Sequence, residues 1–145
     1  MPNIIVYGFD SFEGLPEDFE NGYTKGKFRL NELPIVRSNV KLVVGLLQES
    51  LEPFLNEHIE KVAFMHIDAD LYSSTKYVLF KIAEHNRLQK GTVIQFDEFF
   101  YHSGWWAGGE YKAFVEFVKE FNVEFQYIGY FAPFQGAVAI EILKV

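Results

Sequence analysis

Apolar residues occur first in unbroken runs and then at helical spacing, and the alternation of the two patterns predicts most of the fold. Ile4-Ile5-Val6-Tyr7-Gly8-Phe9-Asp10 is an apolar run closed by a carboxylate. Such a run suits a strand buried on both faces, as in a parallel sheet. From Ser11 to about Asn39 the pattern breaks into Gly, Pro and charge (Gly14-Leu15-Pro16, Gly22, Gly26, Pro34), which predicts a long loop with at most short helical pieces. A connection of that length is commonly a lid or a binding loop. Val40-Lys41-Leu42-Val43-Val44-Gly45 predicts the second strand. Ser50 then precedes Leu51-Glu52-Pro53, which predicts a short helix to about His58 with Ser50 as N-cap and Pro53 in its first turn.

Lys61 to Asp68 reads as the third strand, again ending in an acid. Ser73, Ser74 or Thr75 can cap the helix that follows, whose apolar positions include Tyr77, Val78, Phe80, Ile82 and Leu88. Gly91 to Asp97 is the fourth strand. Glu110 to Phe121 carries Tyr111, Phe114, Val115, Phe117, Val118 and Phe121 at helical spacing, an amphipathic helix. Val123 to Phe131 and Ala137 to Val145 are strands joined by Pro133-Phe134-Gln135-Gly136, a connection short enough to require an antiparallel hairpin. The order is β-loop-β-α-β-α-β-α-β-β. It predicts one α/β domain over residues 1–145, with a three-layer, mostly parallel Rossmann-like sheet ending in the hairpin.

The composition narrows the function. Sixteen Phe and an aromatic share of 18% supply a large apolar core and argue against disorder. A net charge of −7 gives no electrostatic reason to expect a nucleic-acid or anionic-membrane partner. No apolar run reaches the roughly 20 residues of a spanning helix. Met1-Pro2-Asn3 leads straight into the first strand, so no signal peptide is expected and the cytoplasm is favoured. The absence of Cys excludes disulfides, thiolate metal sites and a Cys nucleophile.

The acids carry the chemistry. In an open α/β sheet, ligands bind beyond the carboxyl ends of the parallel strands. Asp10, Asp68 and Asp97 each close a strand, with Asp70 and Glu98 beside two of them. One such Asp is usually a turn former or a cap. Several on one edge, with no Lys or Arg close by in sequence before Lys76, call for a cation, a basic partner or water to keep them ionised. A hard divalent ion such as Mg²⁺ is the simplest solution, and Mn²⁺ or Ca²⁺ could substitute chemically. His66 is expected to be a buried, hydrogen-bonded core histidine. Asp10 suits a vicinal diol such as a ribose. No P-loop and no Gly-x-Gly-x-x-Gly occurs, so nucleotide phosphates have no evident seat.

Three segments resemble motifs of the macrocin O-methyltransferase family: Tyr7-Gly8-Phe9-Asp10-Ser11-Phe12-Glu13-Gly14-Leu15-Pro16, His66-Ile67-Asp68-Ala69-Asp70-Leu71-Tyr72-Ser73-Ser74-Thr75, and Phe96-Asp97-Glu98-Phe99. The resemblance spans nearly the whole chain. It implies a class I methyltransferase fold, S-adenosylmethionine as methyl donor, Mg²⁺ as catalytic ion and a small hydroxylated, sugar-like acceptor. Asp10 then matches the ribose-binding position, with Ser11 beside it. Gly45, Gln48 and Glu49 border the adenine. Asp68, Asp97 and Glu98 match the metal ligands, Glu98 standing where the family often has a second Asp. Asp68 and Asp70 are the candidate catalytic acids, and Tyr101, His102, Trp105 and Trp106 are candidates to wall the acceptor site. The family's first strand, with its Gly-rich turn, normally lies between the strands ending in Asp10 and Asp68, and this sequence lacks it. A gap is expected there unless the chain is a fragment of a longer reading frame, the flanking strands close directly or a second copy covers it, and cofactor binding by this chain alone is expected to be weak or absent. Two alternatives remain: a glycosyltransferase using Asp68-Ala69-Asp70 as an Asp-x-Asp motif, and a non-catalytic assembly or metal-binding module whose aromatics line a homo-oligomer interface.

Overall fold

The computed structural model describes residues 4–19, 22–100, 104–132 and 136–145. Its elements follow the expected order: β1 (Val6–Asp10), β2 (Val40–Val44), α1 (Leu47–Glu57), β3 (Phe64–Ile67), α2 (Tyr72–Glu84), β4 (Val93–Phe96), α3 (Gly109–Phe121), β5 (Glu124–Phe131) and β6 (Ala137–Lys144). A 3-10 turn at Trp105–Ala107 precedes α3. The class is α/β. The described strands form two sheets, one of β1 and β2 and one in the order β3-β4-β6-β5. The chain divides into two compact units, Met1–Phe54 and Leu55–Val145.

In the first unit β1 and β2 run parallel, with Asp10 opposite Val44. The apolar runs predicted strands buried on both faces, but Val6 and Val44 are about half exposed and no residue of either strand is buried. Phe54 of α1 packs edge-on against Tyr7 and Phe9, with ring centroids 4.7 and 5.0 Å away. The long loop after β1 closes on itself: Leu15 N–H donates to the Lys27 carbonyl and Gly26 N–H to the Leu15 carbonyl. Gly14 makes this possible, since a Cβ there would lie 2.3 Å from the Lys27 oxygen and its φ is +81°.

The second unit has its core under β4 and β6. Ile94 and Phe96 alternate with half-buried neighbours, and register places them opposite Ile140 and Val138. This is period-two burial with one face sealed, where the continuous runs predicted both. α3 seals that face: Phe114 meets Phe96 at 5.3 Å and Phe125 at 4.8 Å. α2 packs on α3 through Phe80 and Phe121.

The helix starts differ from the sequence expectation. Ser50 does not cap α1, which begins one turn earlier. Its hydroxyl instead donates to the Leu46 carbonyl one turn back, and Pro53 sits inside the helix. None of Ser73, Ser74 and Thr75 caps α2 either. Leu71 holds the cap position without a side-chain bond, and Ser74 and Thr75 are buried within the helix. The hairpin turn at Pro133-Phe134-Gln135 lies outside the described residues.

Candidate functional site

The carboxyl ends of the parallel strands β3 and β4 carry the acids that the sequence singled out. Ile67 is opposite Phe96, so Asp68 and Asp97 leave the sheet side by side, and the Asp97 N–H donates to the Ile67 carbonyl at 3.0 Å. After Asp68 the chain turns sharply. The Leu71 N–H donates to the Ala69 carbonyl, so a three-residue turn is centred on Asp70, whose φ is +55°. Asp tolerates that left-handed conformation better than most residues.

This turn brings Asp70 to Glu98. The two side chains share a hydrogen bond, and burial is the largest cause raising the Glu98 pKa to about 8; the bond to Asp70 and the charges of Asp70, Asp68 and Asp97 add to it. Near neutral pH Glu98 is therefore protonated, and its Oε2 is buried without a partner. Asp70, Asp68 and Asp97 all lie near enough to Glu98 for their charges to act on it. Among the described residues no group of three or more His, Asp and Glu side chains is arranged to hold a metal ion.

A fifth acid joins them. Glu110, in the first turn of α3, is fully buried. Its Oε2 accepts the Glu98 N–H at 3.0 Å, and the Ala69 N–H also favours its charged form. Burial outweighs both bonds and pushes its pKa up to about 8, with the charges of Glu98 and Asp68 adding to the shift. Sequence reading placed Glu110 only at a helix start. Its signal was the spacing itself: it lies one turn before Phe114 and two before Phe117, on the apolar stripe of the helix, where a carboxylate requires partners.

The basic groups sit elsewhere or at the margin. Lys76, the first cation after the Asp pair, bonds to Glu116 at 2.7 Å and to the Tyr72 hydroxyl at 3.0 Å. Those bonds raise the Lys76 pKa and lower that of Glu116. His66 is not the buried histidine expected. Its side chain is 43% exposed, with Nε2 3.7 Å from Asp97 Oδ1. β3 is the edge strand of its sheet, and Phe64, two residues earlier, is equally uncovered. Trp105 packs on Tyr111 at 4.6 Å, while Trp106 is exposed. Tyr101 and His102 lie outside the described residues.

In the first unit the expected cofactor residues gather at the carboxyl end of β1 and β2. Asp10 Oδ1 accepts the Phe12 N–H at 2.7 Å, and Ser11 Oγ accepts the Glu13 N–H at 3.1 Å. Both are local turn bonds, the ordinary role of such residues. Gly45 donates its N–H to the Asp10 carbonyl at 3.0 Å, and Gln48 and Glu49 follow in the first turn of α1.

No protein-family model and no curated protein matches the chain. Among solved structures, the S-adenosylhomocysteine-bound Podospora anserina methyltransferase PaMTH1 is similar at 17% identity and a TM-score of 0.45, over 74% of this chain. The chain spans 50% of the length of that structure.

Proposed function

We propose that this chain belongs to an S-adenosylmethionine-dependent O-methyltransferase acting on a small hydroxylated, sugar-like acceptor. The observation that carries this reading is that Asp68 and Asp97 follow the paired carboxyl ends of two adjacent parallel strands, with Asp70 and Glu98 next to them in the chain, where α/β sheets bind their ligands. The motif resemblance around Asp10 and Asp68 supports the methyl donor. Asp10 would hold the ribose with the carboxylate oxygen that its turn leaves over, and Ser11, Gly45, Gln48 and Glu49 would line the adjoining surface. The cofactor supplies an electrophilic methyl group. Asp68 or Asp70 would take up the one proton that the acceptor hydroxyl has to lose when it is methylated.

The donor set has the chemistry of a Mg²⁺ site, since Asp68, Asp97 and Glu98 all offer hard oxygens and the Glu98 Oε2 is buried and unpartnered. A ligating carboxyl must be ionised, so Glu98 has to lose its proton and release Asp70 before it can serve. Bound there, the ion would acidify the acceptor hydroxyl.

The test is a saturation-transfer NMR titration of the whole chain with millimolar S-adenosylhomocysteine, beside Asp10→Ala and a UDP-sugar control. Saturation should reach the ribose protons in the wild type and vanish in Asp10→Ala. Transfer to the UDP-sugar alone, or to neither ligand, overturns the reading.

A further inference from the structure

β5 is the outer strand of its sheet and pairs with β6 alone, so alternate residues direct their N–H and C=O groups to an open side. Its sequence, Glu124-Phe125-Gln126-Tyr127-Ile128-Gly129-Tyr130-Phe131, contains no Lys, Arg or Pro, the residues that commonly keep such an edge from pairing with another chain. The one charge, Glu124, stands at its start and pairs with Lys144 of its own hairpin at 3.1 Å. Of the whole strand only Phe125 is partly buried. Tyr127, Tyr130 and Phe131 are 58, 79 and 60% exposed, and Ile128 is half exposed. In a chain of net charge −7, this is a surface on which two copies can meet without like charges facing one another.

Gly129 points to what covers the edge. Neither backbone nor packing within the chain requires glycine there: its φ is outside the left-handed range, and a Cβ would meet nothing within 4 Å. Glycine inside a strand costs roughly 0.5–1 kcal/mol relative to Ala. It marks a bulge, a bend or a place where another backbone comes close. A bulge does precede it, since Tyr127 pairs with Ile140 and Gly129 with Ala139, leaving Ile128 over. The bulge that demands glycine, however, uses a left-handed φ. After it, Gly129, Tyr130 and Phe131 pair regularly with Ala139, Val138 and Ala137.

We propose that β5 is a homodimer interface: two copies pair antiparallel about a two-fold axis at Tyr130, which sets Phe131 of each copy opposite Gly129 of the other. Directly opposite residues share a face, so each Phe131 ring covers the bare backbone of a glycine, and the two Tyr130 rings meet across the axis. Such a contact is self-complementary and closes after two copies. The three exposed aromatics alone offer roughly 300–500 Å² per copy, at about 150–250 Å² for a whole aromatic side chain, against about 800 Å² per partner in a standard interface. Ile128, Leu143 and Val145, exposed on the same hairpin, supply more, which is the scale of a reversible dimer. The inference is independent of the methyl-transfer reading.

Sedimentation velocity and circular dichroism are measured on the whole chain as wild type, Gly129→Val, Tyr130→Lys and Phe64→Lys. The wild type should be largely dimeric at about 100 µM and dissociate on dilution, as a micromolar Kd requires. Gly129→Val has open space in the single copy, so it should keep the fold and weaken the dimer about tenfold or more. Tyr130→Lys should do the same by setting two ammonium groups opposite each other. Phe64→Lys, on the other edge of the sheet, should leave the dimer unchanged. A wild type that stays monomeric at that concentration overturns the proposal. So does a dimer that Gly129→Val leaves intact, one that Phe64→Lys dissociates, or an assembly larger than two copies. Should a β5 variant fail to fold, the wild type still decides. In a mixture of isotope-labelled and unlabelled copies, intermolecular NOEs between the Phe131 ring and the Gly129 α-protons are expected, and their absence refutes this pairing.

Discussion

At the scale of single residues, the two protonated acids make stability depend on pH in a definite direction. Glu98 and Glu110 have folded-state pKa values raised from an ordinary 4.5 to about 8. Below 4.5 they are protonated in both folded and unfolded chains and contribute nothing to the slope. Between 4.5 and 8 the unfolded chain ionises them while the fold does not, so stability falls as pH rises, by at most about 1.4 kcal/mol per pH unit for each group. Above 8 the loss is complete. Glu110→Gln removes one contribution, and urea midpoints at pH 5 and pH 8 should show a flatter fall than in wild type; parallel profiles for the two proteins would rule this account out. The same proton governs metal affinity. Mg²⁺ needs an ionised Glu98, so millimolar Mg²⁺ should raise the melting temperature more at pH 8.5 than at pH 6, relative to a monovalent salt of equal ionic strength. Glu98→Gln should abolish the difference. A shift as large at pH 6 as at pH 8.5 would remove Glu98 from the ligand set.

At the scale of elements, helix phase is the quantity that sequence periodicity reads best. Phe114 is buried and packs at steep ring angles against Phe96, Phe99 and Phe125, tying α3 to β4 and β5, whereas the adjacent Val115 is 44% exposed. Phe114→Ala should cost about 3–5 kcal/mol in a denaturant titration, and Val115→Ala less than about 0.5 kcal/mol. Comparable losses at the two positions would mean that α3 is rotated about its axis. The order of elements and the strand-end acids were legible for the same reason: spacing and run length are local properties of the chain. The helix starts were not, because Ser50 and Ser73 to Thr75 match cap preferences that packing overrides. Nor was the meeting of Asp70 with Glu98. It depends on a left-handed turn at Asp70 and on an α3 side chain that reaches back to the Glu98 amide after β4. Glu110 could have been flagged by its place on an apolar stripe, but its backbone partner Glu98 lies 12 residues away along the chain and no local pattern names it.

At the scale of the whole molecule, burial is distributed unevenly between the two units. Among the described residues, the largest fully buried side chains, from Phe96 and Phe114 to Ile140 and Leu79, all belong to Leu55–Val145. Met1–Phe54 offers a two-stranded sheet whose strands are half exposed, with Ile4, Ile5 and Val6 among its uncovered apolar residues. A two-stranded sheet is marginal in water without a covering layer. Each buried Phe or Ile contributes about 1.5–3 kcal/mol, so nearly all of the apolar stabilisation is concentrated in the second unit. Local opening free energies should follow that distribution. Under native conditions, amides of β1 and β2 should exchange well before those of β4 and β6, and low urea should speed the first pair while leaving Ile94 and Ile140 unaffected. Global unfolding would then depart from two-state behaviour, with circular dichroism and tryptophan fluorescence giving different midpoints, because Trp105 and Trp106 both report on the second unit. If Gly8, Val43, Ile94 and Ile140 all exchange through one opening of equal free energy and equal urea dependence, the two units share a single cooperative core and the uneven burial has no energetic counterpart.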